Sequence, residues 1–134
     1  MKSLLLACGL AVAATTAQAA TCKQNFSFIG LPLLSQIEYR THATIAGVSR
    51  ETAQQRIADA LVARGYSAVR IRRSSVTALQ ETSGSGRPQS LVFTTDTSGD
   101  NLRIDAVFTI QQGQIAGERV VRNELCRLIA AANG

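Results

Sequence analysis

Two cysteines, Cys22 and Cys126, stand near opposite ends of this chain, and a bridge between them would close almost everything downstream of residue 21 into one ring. Whether they pair depends on what lies upstream, where the chain opens MKSLLLACGLAVAATTAQAATCKQ. Lys2 is a minimal positive region, Leu4 to Ala14 an apolar stretch, and Ala17, Gln18 and Ala19 the small-x-small pattern that signal peptidase reads. Residues 1–19 therefore read as a cleaved signal peptide of compact, bacterial type. The apolar run falls short of the roughly 20 residues that span a bilayer, and no later segment approaches that length, so no transmembrane segment is expected.

A competing reading rests on Leu5, Leu6, Ala7 and Cys8, which match the residue types of a lipobox and would leave a lipoprotein anchored through Cys8. Only Ser3 to Ala7 would then separate Lys2 from the cut, fewer than the roughly 7 to 15 residues of an h-region. The cut after Ala19 is the better reading, and it makes the protein periplasmic or secreted.

Export leaves Cys22 and Cys126 as an even pair in an oxidising compartment, the setting for a disulfide. Closing a loop of about 100 residues contributes roughly 4.7 kcal/mol by loop-closure entropy. There is no Cys-x-x-Cys, so the bridge is expected to be structural, stapling an amino-terminal arm to a carboxy-terminal helix. Of the 134 residues, 115 remain once the 19 of the leader are removed, near the common size of one domain. They divide into an arm, residues 20–35, and a single domain, residues 36–134. Without Lys2 the 14 basic residues become 13 against 9 acidic ones, a net charge of +4, and all but Lys23 are arginine. Arginine's fork suits carboxylate or phosphate, although codon usage produces the same bias.

Gln36 to Ile45 alternates cleanly, with Ile37, Tyr39, Thr41, Ala43 and Ile45 on one side and Glu38, Arg40, His42 and Thr44 on the other, the pattern of a half-buried strand. Ser49 is a good N-cap, and Ala53, Ile57, Ala60 and Leu61 recur at helical spacing until Arg64 and Gly65 end the helix. Tyr66 to Glu81 is rich in Val, Ile, Thr and Ser, so it is one long bulged strand or two short ones. Thr82 to Pro88 is a loop, and Ser90 to Thr95 a strand. The turn signal SGDN then leads into Leu102 to Gln111, which alternates again. Glu118 to Ala132 closes the chain as a helix with a stripe of Val121, Leu125, Leu128 and Ile129. These elements predict an α+β two-layer sandwich. A four-stranded, mainly antiparallel sheet carries two helices on one face, in the order β-α-β-β-β-α after an irregular arm.

The helix, three-strand, helix order is also that of double-stranded RNA-binding domains. An export signal argues against RNA, and the final helix opens GERVVRNE rather than with a lysine cluster, so no nucleic acid partner is expected. His42 is the sole histidine, on a strip with Glu38 and Arg40 that allows a hydrolase reading. A solvated sheet face with ion pairs accounts for the same residues. With one histidine and two paired cysteines no metal site is expected, and no cofactor motif is present: Gly84, Ser85 and Gly86 form neither a nucleophile elbow nor a phosphate loop.

Two surfaces are better candidates. Arg70 and Arg72 alternate with Val69 and Ile71, so they stand on the open sheet face, with Arg40 and Arg103 on the same face, as a basic platform for an acidic protein or phosphorylated envelope glycan. Ion pairs with Glu38 and Asp105 are the plainer use of those charges. The arm FSFIGLPLL holds Phe26, Phe28, Ile29 and Leu31 in a stretch with no charge. It is expected to cover an open edge of the core, and to be an interaction patch if it is exposed. Asn25, Phe26 and Ser27 fit a glycosylation acceptor, but the bacterial leader predicts no glycan. The sequence therefore points to an exported, non-catalytic binding domain of the bacterial envelope, with an envelope protein as first partner. Its alternatives are a carrier or sensor of a small ligand held between sheet and helices and, last, a hydrolase using His42.

Overall fold

The computed structural model describes residues 21–80 and 87–134, so the leader, Cys8 and most of the Thr82 to Pro88 loop lie outside the described residues. Residues 21–24 are helical and lead into β1 (Ser27–Ile29) and β2 (Ile37–Ala46). Helix α1 (Arg50–Ala63) follows, then four consecutive strands, β3 (Ser67–Ile71), β4 (Ser75–Gln80), β5 (Gln89–Ser98) and β6 (Asn101–Ile110), and finally α2 (Glu118–Ala131). The class is α+β as expected, but the sheet has six strands rather than four, and residues 21–24 add a third helical segment. All strands are antiparallel, in the order β1-β2-β6-β5-β4-β3.

Both extra strands have a physical reason. The arm is not irregular, because Ser27, Phe28 and Ile29 pair with Arg40, Tyr39 and Glu38 on the free edge of β2. The stretch after Tyr66 is two strands, turned at Arg72 to Ser74 without a glycine or proline. The Arg72 N–H donates to the Ser75 carbonyl (2.7 Å), and the Gln54 amide of α1 donates to the carbonyls of Arg72 (3.1 Å) and Arg73 (3.4 Å) and to Thr95 Oγ1 (3.1 Å). A buried glutamine on a packed helix thus supplies the turn chemistry that the local residues lack. The strand expected to stop at Thr95 runs on to Ser98, since only Gly99 and Asp100 are needed for the hairpin, and Gly99 takes the positive φ (+59°) that such a turn favours.

Strand β6 is central, paired over ten residues with β2 on one side and nine with β5 on the other. Its Leu102, Ile104, Ala106, Phe108 and Ile110 face the helices with Tyr39, Ile45, Leu91, Phe93 and Val76 of neighbouring strands. Ile57 and Leu61 of α1 and Leu125, Leu128 and Ile129 of α2 close this core. The Cys22–Cys126 bridge joins the segment before β1 to α2, with S–S 2.08 Å and Cα–Cα 5.7 Å, within the range for disulfides. Buried Thr41 of β2 donates its hydroxyl to the Cys22 carbonyl, so the one polar residue on the inward side of that strand is satisfied by the stapled segment. No helix among the described residues is long and apolar enough to cross a membrane.

Candidate functional site

The arm forms the first candidate. Phe26 stacks on Tyr39 with ring centroids 6.0 Å apart, Phe28 tilts on the same ring at 5.9 Å, and Tyr39 stacks on Phe108 of β6 at 6.3 Å. This aromatic row roots the arm in the core. Beyond it the arm does not bury itself. Phe28, Ile29, Leu31, Leu33 and Leu34 are 44 to 72% exposed, so the arm caps the edge of β2 and becomes an apolar edge in its turn. The exposed leucines are held in place, with the Ser35 N–H donating to the Leu31 carbonyl (3.0 Å) and the Leu31 N–H to Ser35 Oγ (2.9 Å). Leu33 sits at φ +67°, a left-handed conformation unfavourable for a γ-branched side chain. Gly30, at φ +125°, could not be replaced without movement, because a Cβ there would lie 2.3 Å from the Gln36 carbonyl oxygen. The Asn25 amide donates to the His42 carbonyl (3.0 Å).

The second candidate is an open cleft of about 660 Å³ where the two helices meet one end of the sheet. It is assembled by the end of α1. The Gly65 N–H donates to the Val62 carbonyl and the Tyr66 N–H to Leu61 (both 3.0 Å), a Schellman closure that turns the chain out of the helix and brings Arg64 and Tyr66 beside Glu124 of α2. Arg64 binds the Glu124 carboxylate through Nε and Nη2, and the Tyr66 hydroxyl donates to Glu124 Oε1 (3.3 Å). Burial, then the neighbouring Glu124, push the Tyr66 hydroxyl up to about 12, so it stays protonated at physiological pH. Phe108, Val121 and Leu125 form the apolar base, and Ile115 and Val120 stand at the mouth, 78% and 71% exposed. The loop carrying Ile115 is pinned at both sides. The Tyr39 hydroxyl donates to the Ala116 carbonyl (3.2 Å), and the Gln111 N–H to Gln114 Oε1 (2.8 Å). Burial also raises the Tyr39 hydroxyl, with Glu118 adding to it.

On the open sheet face the expected arginines do not converge. Arg40 pairs with Glu38 on its own strand, and Arg103 pairs with Asp105 through two contacts of 2.9 Å. Arg70 does stand on this face, opposite Thr77 on β4, but four strand steps of ~4.8 Å put it ~19 Å from Arg40. Arg72 lies past the end of β3, in the hairpin turn. The sequence pattern fixes which face a strand residue takes but not the order of the strands, which is why the four were expected side by side. His42 faces Asp105 directly across the β2–β6 pair. Thr94 and Ser75 follow Asp105 in that row on β5 and β4, and Thr44 stands two residues from His42 on the same face of β2. Among the described residues no group of histidine, cysteine, aspartate and glutamate is placed to hold a metal ion.

Sequence reasoning allowed a small-ligand site between sheet and helices but singled out none of the residues of this cleft. Its signal was faint: Glu124 interrupts nothing in the α2 stripe, and Arg64 and Tyr66 read only as a helix end and a strand start. Ile115 and Val120, apolar residues outside the expected core stripe, were the available clue. No protein-family model matches the chain, and no curated protein sequence matches it.

Proposed function

We propose that this protein is an exported, non-catalytic binding domain of the bacterial envelope that engages a protein partner through the arm. The observation that carries the reading is the uncharged run Phe26 to Leu34, with five large apolar side chains exposed yet held in a defined strand and turn. Exposed apolar surface of that kind marks interaction sites, and a leucine kept at positive φ adds a conformational cost that a merely connecting segment has no reason to carry. Export is supported by the form of residues 1–19 and by the Cys22–Cys126 pairing, because structural disulfides persist in oxidising compartments.

The test places a photo-crosslinking residue at position 31 and, as a control, at position 123 on the exposed surface of α2, in cells expressing the full chain. The expected result is one discrete adduct from position 31 that disappears with Ile29→Asp and Leu34→Asp, while the thermal midpoint is unchanged. An adduct equally strong from position 123, or none from position 31, rejects the arm as the docking site. The mass of the recovered protein, starting at Ala20 or at a lipidated Cys8, decides between a free and an anchored domain.

A further inference from the structure

The cleft between the helices and the sheet end is built for something other than a partner's edge. Its base, Phe108, Val121 and Leu125, is buried and apolar, and the apolar surface continues outward on one side through Ile115 and Val120, while Gln80, Gln89 and the Arg64–Glu124 pair line the other side. Two side chains of that size left 78% and 71% exposed above an apolar base leave a concave, water-facing apolar wall. At about 660 Å³ the space falls within the range of small-molecule sites.

The polar end restricts what can occupy it. Glu124 receives the Nε and Nη2 donors of Arg64 and the Tyr66 hydroxyl, so its negative charge is met by one positive charge and the end is neutral as a whole. Arginine has five N–H bonds, and two of Arg64's are used among the described residues. The remaining donors suit an acceptor oxygen. An anion placed there would meet Glu124 with no uncompensated cation, and a cation would meet Arg64. The geometry points to a binding site for an uncharged amphipathic small molecule, with an apolar body lying on Phe108, Ile115 and Val120 and a neutral acceptor, such as a carbonyl or ester oxygen, at the Arg64–Glu124 end.

Two probes with the same aromatic body separate this from general hydrophobic adsorption: uncharged N-phenyl-1-naphthylamine and its anionic relative 8-anilino-1-naphthalenesulfonate. Titrated into the purified protein, the neutral probe is expected to bind at one saturable site and at least about tenfold more tightly than the anion. Ile115→Asp with Val120→Asp, both at exposed positions, is expected to weaken the neutral probe by about tenfold or more with an unchanged thermal midpoint. Glu124→Gln leaves Arg64 uncompensated and is expected to strengthen the anionic probe by about tenfold while moving the neutral one little. Equal affinity for both probes in the wild-type protein overturns the proposal. So does absence of saturable binding, or neutral-probe binding that survives the Ile115 and Val120 changes but is lost with Ile29→Asp and Leu31→Asp on the arm. Because the cleft and arm variants are separate, failure here is distinguishable from failure of partner docking at the arm.

Discussion

The two edges of the sheet are built on opposite plans. At one, β1 presents Ser27, Phe28 and Ile29 in a stretch with no charged residue from Phe26 to Leu34. At the other, β3 is bulged between Ser67 and Arg70, with Ala68 at φ +50°, and leads through Arg70 into the turn at Arg72 and Arg73. A bulge and outward charges are the devices by which proteins discourage edge-to-edge pairing, and β3 has both while β1 has neither. The edges also differ in how they are held. The segment leading to β1 is tied by a covalent bond to α2, and the β3–β4 turn is tied by two hydrogen bonds from Gln54, whose amide also reaches Thr95 of β5. One edge is protected and the other leaves apolar surface exposed.

The largest effect that would disturb this contrast is removal of the bridge. Cys22→Ser with Cys126→Ser is expected to cost on the order of 4 kcal/mol in urea unfolding, from the lost loop-closure constraint. Hydrogen exchange should accelerate most at Ser27–Ile29 and least at β3, and uniform acceleration would show that the bridge does not serve the arm edge in particular. Gln54→Ala acts on the other edge and is expected to cost about 1–3 kcal/mol, since Thr95 and two turn carbonyls lose a buried partner. Its exchange signature should fall on β3 and β4, and loss of protection in β1 instead would contradict the assignment of Gln54 to that turn.

A pH experiment sharpens the comparison, because each edge is anchored by one tyrosine. The Tyr66 hydroxyl is held at about 12 against an ordinary value of 10.0, so below pH 10 it is protonated in both folded and unfolded chains and its contribution to stability is full and does not change with pH. Between pH 10 and about 12 the unfolded chain ionises first, and stability falls. Tyr39 is raised in the same direction by burial. Tyr66→Phe should remove the part of the fall that belongs to the β3 side and leave the Tyr39 part. A urea midpoint with the same alkaline slope as the wild-type protein would rule out the buried Tyr66 hydroxyl as its cause. The smallest effect on stability is expected from Arg70→Thr with Arg72→Thr, within about 0.5 kcal/mol, together with a shift toward larger species in sedimentation velocity as the charged edge is neutralised. Unchanged sedimentation would mean that the bulge alone protects β3.

Much of the architecture is legible in short stretches. The alternation of Ile37 to Ile45 and of Leu102 to Ile110, the Ser49 cap, the Arg64–Gly65 stop and the α2 stripe each depend on residues within a few positions of one another, and each appears in the structure where local physics puts it. The β3–β4 turn was not resolvable because its determinant, Gln54, lies 18 residues upstream on a helix. The arm strand was not legible because three residues carry no period, and their pairing exists only because β2 leaves an edge open.

The sequence by itself determined the inward and outward faces of the long strands and the two main helices with their ends, since side-chain periodicity and capping are properties of the chain alone; of its three cysteines, the structure pairs Cys22 with Cys126. Only the tertiary structure decided that β2 lies against β6, that Arg70 and Arg40 stand at opposite sides of the sheet, that the arm is an exposed edge, and that Arg64, Tyr66 and Glu124 close one end of an apolar cleft. Those relations are set by which distant segments bury each other's apolar faces, and strand order leaves no trace in the period of any single strand.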